Sequence, residues 1–284
     1  MAKPWTPNYL PFRTLTNWYD STDTGTLTLS TGDTVAEWRD KSYYANNLSE
    51  VDYADLPTYG TTNLNGLSTV DFDEGEGINL DIINTEINQP LYVLFAGFSN
   101  SFSGTSTLFT LENSAGDQLV VRNVTDNVAQ IFQRKDGDER VYGMGSGSKT
   151  DIPVIYTLSA ANENAVFNFN IDADSTGVQI LSSTTYDSLQ LGVWHISDSN
   201  EINSYNGQIG EFIIVQGDIA PNDVKKLEGY TAWKWGMVDY LPSDHPYKAA
   251  PPTVTDVEYR NKLYETSIEE GSSRFRRLFL LGYV

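Results

Sequence analysis

The sequence predicts an all-β fold, an antiparallel double-sheet sandwich with one helix near its end and a C-terminal arm. Three observations carry this prediction. About a dozen strand-like runs follow one another at roughly 8- to 15-residue spacing, without the interleaved helices that a parallel sheet needs. Phe167, Phe169 and Ile171 alternate with Asn168 and Asn170, the pattern of a strand with one dry and one wet face. Ile209, Phe212, Ile213, Ile214 and Val215 make the last strand apolar on both faces, which places it centrally or beneath the helix.

Taken in order, residues 1–14 carry Pro4, Pro7 and Pro11 and read as an extended lead-in. A strand follows at 15–20. Residues 26–30 and 34–40 form a hairpin through Thr31-Gly32-Asp33, a short glycine-containing connection. Residues 41–65 are rich in Asn, Asp, Tyr and Thr without sustained period, and are expected to run as a long surface excursion of a functional kind. Strands are expected again at 67–72, 91–98, 107–111, 118–123, 129–134, 154–160, 190–196 and 208–215.

The helix is expected from Pro221, which suits a first helical position, with Asn222 and Asp223 at its positive end. Val224, Leu227, Thr231 and Trp235 recur at spacings of three and four, so one face lies on a sheet while Lys225, Lys226 and Lys234 stay in water. Gly236 supplies a left-handed stop. Pro242, Pro246, Pro251 and Pro252 then forbid helix and central strand, so the chain should leave the fold there. Beyond them, Thr255 and Glu258 have the spacing of a capping box for a helix over 256–270, stopped by Gly271. The closing stretch Phe275, Arg276, Arg277, Leu278, Phe279, Leu280 and Leu281 is basic and then apolar, a segment suited to bind a partner or a symmetry mate. The division expected is a lead-in over 1–14, a sandwich over 15–252 and an attachment or oligomerisation arm over 253–284.

Composition narrows the partners. The 284 residues hold 38 acidic against 18 basic side chains, a formal charge of −20, so a phosphate backbone would be repelled and nucleic acid is not an expected partner. Hydrophobic content of 39% with 12% aromatics argues for a folded chain despite that charge. The absence of cysteine excludes a disulfide framework and a thiolate site. The first residues lack the apolar stretch of a secretory signal, and no run reaches the ~18 to 20 apolar residues of a spanning helix, so membrane insertion is not expected.

Chemistry has little material. Asp71, Asp73 and Glu76 have the i, i+2, i+5 spacing of glucanase carboxylates, but Gly75 and Gly77 break the strand before Glu76 could share their face, so no catalytic residue is expected. His195 and His245 are the only histidines, too few for a zinc site or a hydrolytic triad. Asp20 with Asp23, and Asp172 with Asp174, alternate as calcium ligands can, but neither pair completes a loop motif, so no metal or other cofactor is expected. Of the six tryptophans, five sit where a sandwich core needs them.

Several stretches carry a family likeness. They are Trp18, Tyr19, Asp20, Ser21 and Asp23; Trp38 to Ser42; Pro57 to Tyr59; Leu64 to Gly66; and Val70, Phe72 and Asp73. Glu228 to Gly236 and Leu241 to Pro252 complete the set, reading EGYTAWKWG and LPSDHPYKAAPP. In these the chain resembles the laminin-G-like, or concanavalin-A-like, jelly-roll domain of tailed-phage virion proteins and bacterial surface proteins. The resemblance implies a jelly roll over 5–252 and a non-enzymatic structural or binding role. The setting it implies is a virion assembled in the host cytoplasm, as head decoration, head fibre or tail-associated protein, with capsid or tail subunits, a homo-oligomer partner or a cell-surface glycan as partners. A carbohydrate-binding adhesin module of a bacterial surface protein is the alternative, and a glucanase-like hydrolase the third. The chain departs from the family after Ser42, where Gly-Asn-Gly gives way to Tyr43, Tyr44 and Ala45. Bulky tyrosines in a polar loop make rigid amphipathic surface, so Tyr43 and Tyr44 are the expected ligand-binding residues.

Overall fold

The computed structural model describes residues 2–49, 56–73, 76, 78–80, 86–100, 104–125, 128–144, 152–161, 163–171, 176–180, 185–195 and 202–269. The central strand is Gly207–Gln216, and both faces of it are buried, as its double-sided apolar sequence requires. Among the described residues it belongs to an eight-stranded antiparallel sheet. In hydrogen-bonded order this sheet runs Thr176–Gln179, Asn164–Phe169, Pro153–Ala161, Leu91–Ser99, Gly207–Gln216, Leu67–Phe72 and Thr58–Leu64, with Leu15–Asp20 also paired to Gly207–Gln216. A nine-stranded sheet packs against it, in the order Asp138–Met144, Val128–Lys135, Gln118–Thr125, Ser106–Glu112, Ser188–Leu191, Ile78–Leu80, Leu48–Ser49, Val35–Trp38 and Leu27–Leu29. Val193–His195 and Ile202–Ser204 form a separate two-stranded ribbon. The result is the antiparallel sandwich that the strand pattern predicts, with the jelly-roll type that the resemblance implies.

Two cores hold it. Between the sheets Trp38, Val70, Phe72, Phe95, Phe109, Ile131, Phe212 and Ile214 interdigitate. On the outer side of the eight-stranded sheet Trp18, Leu94, Ile155, Ile213 and Val215 meet Leu227, Ala232 and Trp235 of the helix Pro221–Lys234. Each large apolar side chain so buried is worth about 1.5 to 3 kcal/mol. A bulge feeds both cores from one strand. Gly210 is the extra residue between Ile209, opposite Gly97, and Glu211, opposite Ala96, so Ile209 and Phe212 both point between the sheets and Glu211 turns toward the helix. Only glycine fits there, since a Cβ on Gly210 would stand 2.6 Å from the Trp235 ring.

The helix begins at Pro221 with Asp223 in its first turn, and Gly236 ends it at φ +66°, as read from sequence. Leu227, Thr231 and Trp235 are fully buried, but two of the three lysines are not in water. Lys226 is buried and ion-paired with Glu258, and Lys234 reaches Asp20 at 2.6 Å and Glu211 at 3.2 Å. Periodicity locates the face against the sheet but not what flanks the helix, and here a second helix and the lead-in cover its sides.

Other expectations are corrected in the same way. The excursion over 41–65 is interrupted by Leu48–Ser49 and by the edge strand Thr58–Leu64, whose solvent-facing Thr and Asn leave only Leu64 buried and so show no apolar period. The alternation over 167–171 ends early: Asn170 and Ile171 have φ of +50° and +61°, and Ile171 joins the outer core, away from Phe167. The strand expected over 190–196 is divided at Gly192, whose φ is +72°, into Ser188–Leu191 and Val193–His195, and residue 196 lies outside the described residues. The chain also stays docked after Pro252. The Trp5 amide donates to the Pro252 carbonyl at 3.0 Å, Pro4 bridges Thr253, and the Val254 amide donates to the Lys3 carbonyl at 2.9 Å.

The second helix, Asp256–Glu269, starts with the capping box: the Thr255 amide donates to Glu258 Oε2 at 2.8 Å, and the Glu258 amide to Thr255 Oγ1 at 3.3 Å. Glu258 Oε1 also accepts from Trp5 Nε1 at 3.1 Å and from Lys226. The lead-in, the first helix and the start of the arm therefore share one carboxylate. Its pKa is lowered, because burial, which raises it, is outweighed by Lys226 and the Thr255 hydrogen bonds. Deleting residues 253–284 strands Lys226 and Trp5 without their acceptor and is expected to lower the thermal midpoint by at least about 4 °C. Deleting 270–284 leaves those bonds in place, and melts of the two truncations should differ accordingly.

His245 is a second buried joint. Its Nε2 lies 3.1 Å from Glu228 Oε2, and its Nδ1 accepts the Tyr247 amide at 3.2 Å, so the neutral tautomer with hydrogen on Nε2 satisfies both partners. Burial lowers the His245 pKa, opposed by Glu228. The unfolded chain therefore binds this proton first as pH falls, so stability is complete above about 6.5 and declines below it, until the folded histidine also titrates. Midpoints measured at about pH 7.5 and pH 5.5 should fall more for the parent than for His245→Gln.

Candidate functional site

The loop after Val35–Trp38 is shaped by Asp40. This buried carboxylate accepts the amides of Trp18 at 2.8 Å, Ser42 at 2.8 Å and Asn46 at 2.9 Å, and the Ser42 hydroxyl at 2.5 Å. Burial raises its pKa against the opposing pull of those hydrogen bonds. Asn46 adds a bond from Nδ2 to the Thr16 carbonyl at 3.0 Å, and its own carbonyl accepts Tyr19. The WYD and RDKS stretches are therefore the two sides of one scaffold, and Tyr43 and Tyr44 are what that scaffold carries outward.

Tyr43 is 52% exposed. Its ring meets Tyr44 edge-on at 5.5 Å and Phe12 of the lead-in at 5.7 Å. The Arg13 guanidinium lies 5.0 Å from the Tyr43 centroid and 4.9 Å from that of Phe12, a double cation–π contact. Arg13 Nη2 donates to Tyr43 Oη at 3.4 Å, and Tyr44 Oη donates to the Arg13 carbonyl at 3.2 Å. Beside the rings a groove of 140 Å³ runs between the lead-in and the helix Asp256–Glu269. Asn8, Lys262 and Glu265 line both it and the smaller hollow next to Tyr43, so the two adjoin. An exposed aromatic platform beside amide, ammonium and carboxylate groups offers a flat apolar face together with donors and acceptors.

The two expected ligand residues are thus brought together. Phe12, Arg13 and the groove side chains were missed, because the lead-in reads as featureless and nothing in the sequence shows that the arm folds back on it. The expected partner segment Phe275 to Leu281 lies outside the described residues, as do Asp172 and Asp174. The glucanase-like acids are engaged locally. Asp71 accepts the Thr62 amide at 2.9 Å, the Thr69 hydroxyl at 2.7 Å and the hydroxyls of Thr61 and Thr62, and Glu76 accepts the Asp73 amide at 2.7 Å. Asp20 accepts from Lys41 at 2.9 Å as well as from Lys234, and Lys41 also reaches Asp23 at 2.8 Å, so ammonium groups stand where a cation would. Asp20 is pushed up by burial and further down by Lys234, a hydrogen bond from Thr22 and Lys41, for a net lowered pKa. Trp18, Trp38, Trp194 and Trp235 are buried, as expected of core residues; Trp233, expected with them from its helix position, is exposed, with its Nε1 donating to the Tyr247 carbonyl at 2.8 Å, and Trp5 of the lead-in is buried in its place.

Asp40→Ala should cost about 2 to 3 kcal/mol in urea unfolding, since it leaves several buried amides without an acceptor. The Tyr43 fluorescence or ring resonances should broaden in the same variant, whereas Arg39→Ala on the exposed side should leave both unchanged.

No family model matches this chain, and no curated protein sequence matches it. Solved structures do. Domain 4 of AbnA, a GH43 extracellular arabinanase from Geobacillus stearothermophilus, solved with arabinotriose, superposes with a TM-score of 0.52 at 16% identity, over 76% of this chain and 98% of that one. A structure of botulinum neurotoxin type C, described as entering cells through two ganglioside molecules, matches with a TM-score of 0.52 at 11% identity, over 77% of this chain and 51% of that one. The binding domain of botulinum neurotoxin serotype D/C matches with a TM-score of 0.50 at 12% identity, over 77% of this chain and 52% of that one. At these identities the likeness establishes the β-sandwich fold.

Proposed function

We propose that this chain is a carbohydrate-binding β-sandwich module that holds a saccharide on Phe12, Arg13, Tyr43 and Tyr44 and along the adjoining groove. The observation that carries the reading is Tyr43, a large ring left half in water on a loop held rigid by a buried carboxylate, next to a second tyrosine and an arginine-stacked phenylalanine. A pyranose or furanose offers aromatic rings its C–H face while its hydroxyls take up amide, ammonium and carboxylate partners, which is the lining of this groove. Structural neighbours solved with arabinotriose or described with gangliosides support the same class of ligand. Asp71 and Glu76 are spent on local hydroxyl and amide bonds, which favours binding over hydrolysis.

The phage setting is a second, finer reading, and its support is the sequence resemblance. In it the sandwich faces outward on the particle, and Phe275 to Leu281 engages a capsid or tail subunit or a symmetry mate. Mass spectrometry of purified particles against host envelope tests the setting.

The binding site is tested by titrating the chain with a panel of neutral and acidic oligosaccharides. Tyr43→Ala should weaken at least one neutral ligand by about tenfold or more, equivalent to roughly 1.4 kcal/mol, with little change in melting temperature. Neutral-sugar binding unaffected by Tyr43→Ala and by Phe12→Ala would sink the assignment.

A further inference from the structure

The outer side of the nine-stranded sheet carries an arginine that the fold does not use as it uses the others. Val120 and Phe132, on adjacent strands, are overlaid by Trp194 from the two-stranded ribbon, with the Phe132 and Trp194 centroids 4.8 Å apart. Trp194 Nε1 donates to Gln118 Oε1 at 3.3 Å and so fixes the indole. The Arg122 guanidinium lies 5.3 Å from the Phe132 centroid and 5.0 Å from that of Trp194. Its Nη2 donates to the neutral Gln130 Oε1 at 3.2 Å, and its Nε is buried without a hydrogen-bond partner.

Arg134 is the internal control. It approaches the same Phe132, at 5.9 Å, and is neutralised by Glu139 through Nε at 2.9 Å and Nη2 at 2.7 Å. Among the described residues Arg122 has no such carboxylate, in a chain with 38 acidic side chains. Burial lowers the Arg122 pKa with no opposing acid, yet a guanidinium stays charged at any working pH. A half-buried, ring-clamped cation with an unmade N–H is a poor device for stability, because an apolar residue there would avoid both costs. It is a good device for receiving an anion.

We propose that Arg122, walled by Phe132 and Trp194, is a second binding site, selective for a sugar that bears a carboxylate. This inference rests on the carbohydrate-binding reading and adds a ligand class to it at a different place on the sandwich. A carboxylate meets the part of the guanidinium that Gln130 leaves free through a charge-assisted hydrogen bond, while the buried rings of Phe132 and Trp194 hold the arginine in place rather than touch the sugar. Uronates and sialates share this chemistry.

The test is calorimetric titration of the full chain with trigalacturonate, with sialyllactose, with a sulfated disaccharide and with arabinotriose. The parent should bind trigalacturonate or sialyllactose, which tells the two sources apart, and added salt should weaken that binding. Arg122→Gln should lower the acidic-sugar affinity by about tenfold or more. Arg122→Lys, the variant to use if the glutamine form does not fold, should recover part of it, since it keeps the charge without the fork. Arg134→Gln should leave this binding within about twofold, since Glu139 already neutralises that guanidinium. Acidic-sugar binding that is absent from the parent, or unchanged in Arg122→Gln or Arg122→Lys, overturns the site. Arabinotriose binding that survives in that event, and is lost in Tyr43→Ala, leaves the general function standing without it. Equal affinity for the sulfated sugar overturns the carboxylate selectivity.

Discussion

Glu211 is a carboxylate with no exposure to solvent, and the position of the first helix depends on it. Trp18 Nε1 donates to it at 2.7 Å, Tyr230 Oη at 2.9 Å and Trp235 Nε1 at 2.8 Å, with the Lys234 ammonium at 3.2 Å. Apolar packing alone would let a helix slide along a sheet at modest cost, whereas four donors converging on two oxygens are satisfied at one register only. Lys234 then carries the network on to Asp20, and Asp20 to Lys41, whose ammonium lies 4.3 Å from the Trp18 ring. A buried ion cluster of this kind adds little net stability over well-packed apolar residues, so its value here lies in orientation. The burden falls on tyrosine too: burial, with Glu211 and Asp20 close by, raises the Tyr230 pKa and keeps that hydroxyl a donor.

This network explains why the resemblance was legible in scattered stretches. Trp18 and Asp20 come from one end of the sequence, Lys41 from the next block, and Tyr230, Lys234 and Trp235 from the helix. They are far apart in the chain and neighbours in the fold. Glu211 itself was not singled out, since a lone acid in an apolar strand reads as a solvent-facing residue until the bulge at Gly210 is known. The same bulge places Ile209 and Phe212 three apart on one face, a spacing that strict alternation cannot anticipate. Strand existence was legible in the long interior strands of both sheets, where apolar runs are continuous, but not in the short interior strands Leu48–Ser49 and Ile78–Leu80. It was not legible at Thr58–Leu64 or Asp138–Met144, edge strands whose side chains mostly face water and whose pairing is a property of the backbone.

The candidate site shows the same division. Tyr43 and Tyr44 stood out because they break a turn pattern that glycine would satisfy. Phe12 and Arg13 could not be matched to them from sequence, because the two segments meet only after Leu15–Asp20 has paired with Gly207–Gln216 and Asp40 has tied the loop to Trp18 and Asn46. The groove requires one further closure, that of the arm on the lead-in through Trp5, Lys226 and Glu258. Lys226 was misplaced for the same reason. A helical wheel separates dry from wet on one axis, and a lysine whose stem is covered from the side can still place its ammonium on a buried acid.

Both ring-stacked sites pair an arginine with two aromatic rings, Arg13 with Phe12 and Tyr43, Arg122 with Phe132 and Trp194. They differ in what holds the rings. Arg13 stands on a loop and lead-in whose shape depends on Asp40, so its geometry is coupled to the outer core through Trp18. Arg122 stands on a sheet strand, with Trp194 fixed by Gln118; the strand is paired on both sides from Gln118 to Val121, and a register shift on the Ser106–Glu112 side falls just before Arg122. A site built on paired strands tolerates less adjustment than one built on a loop. In the binding roles proposed for them, the sheet site is accordingly the one suited to discriminate by a fixed charge, and the loop site the one suited to accept sugars by stacking, where small changes of ring tilt cost little.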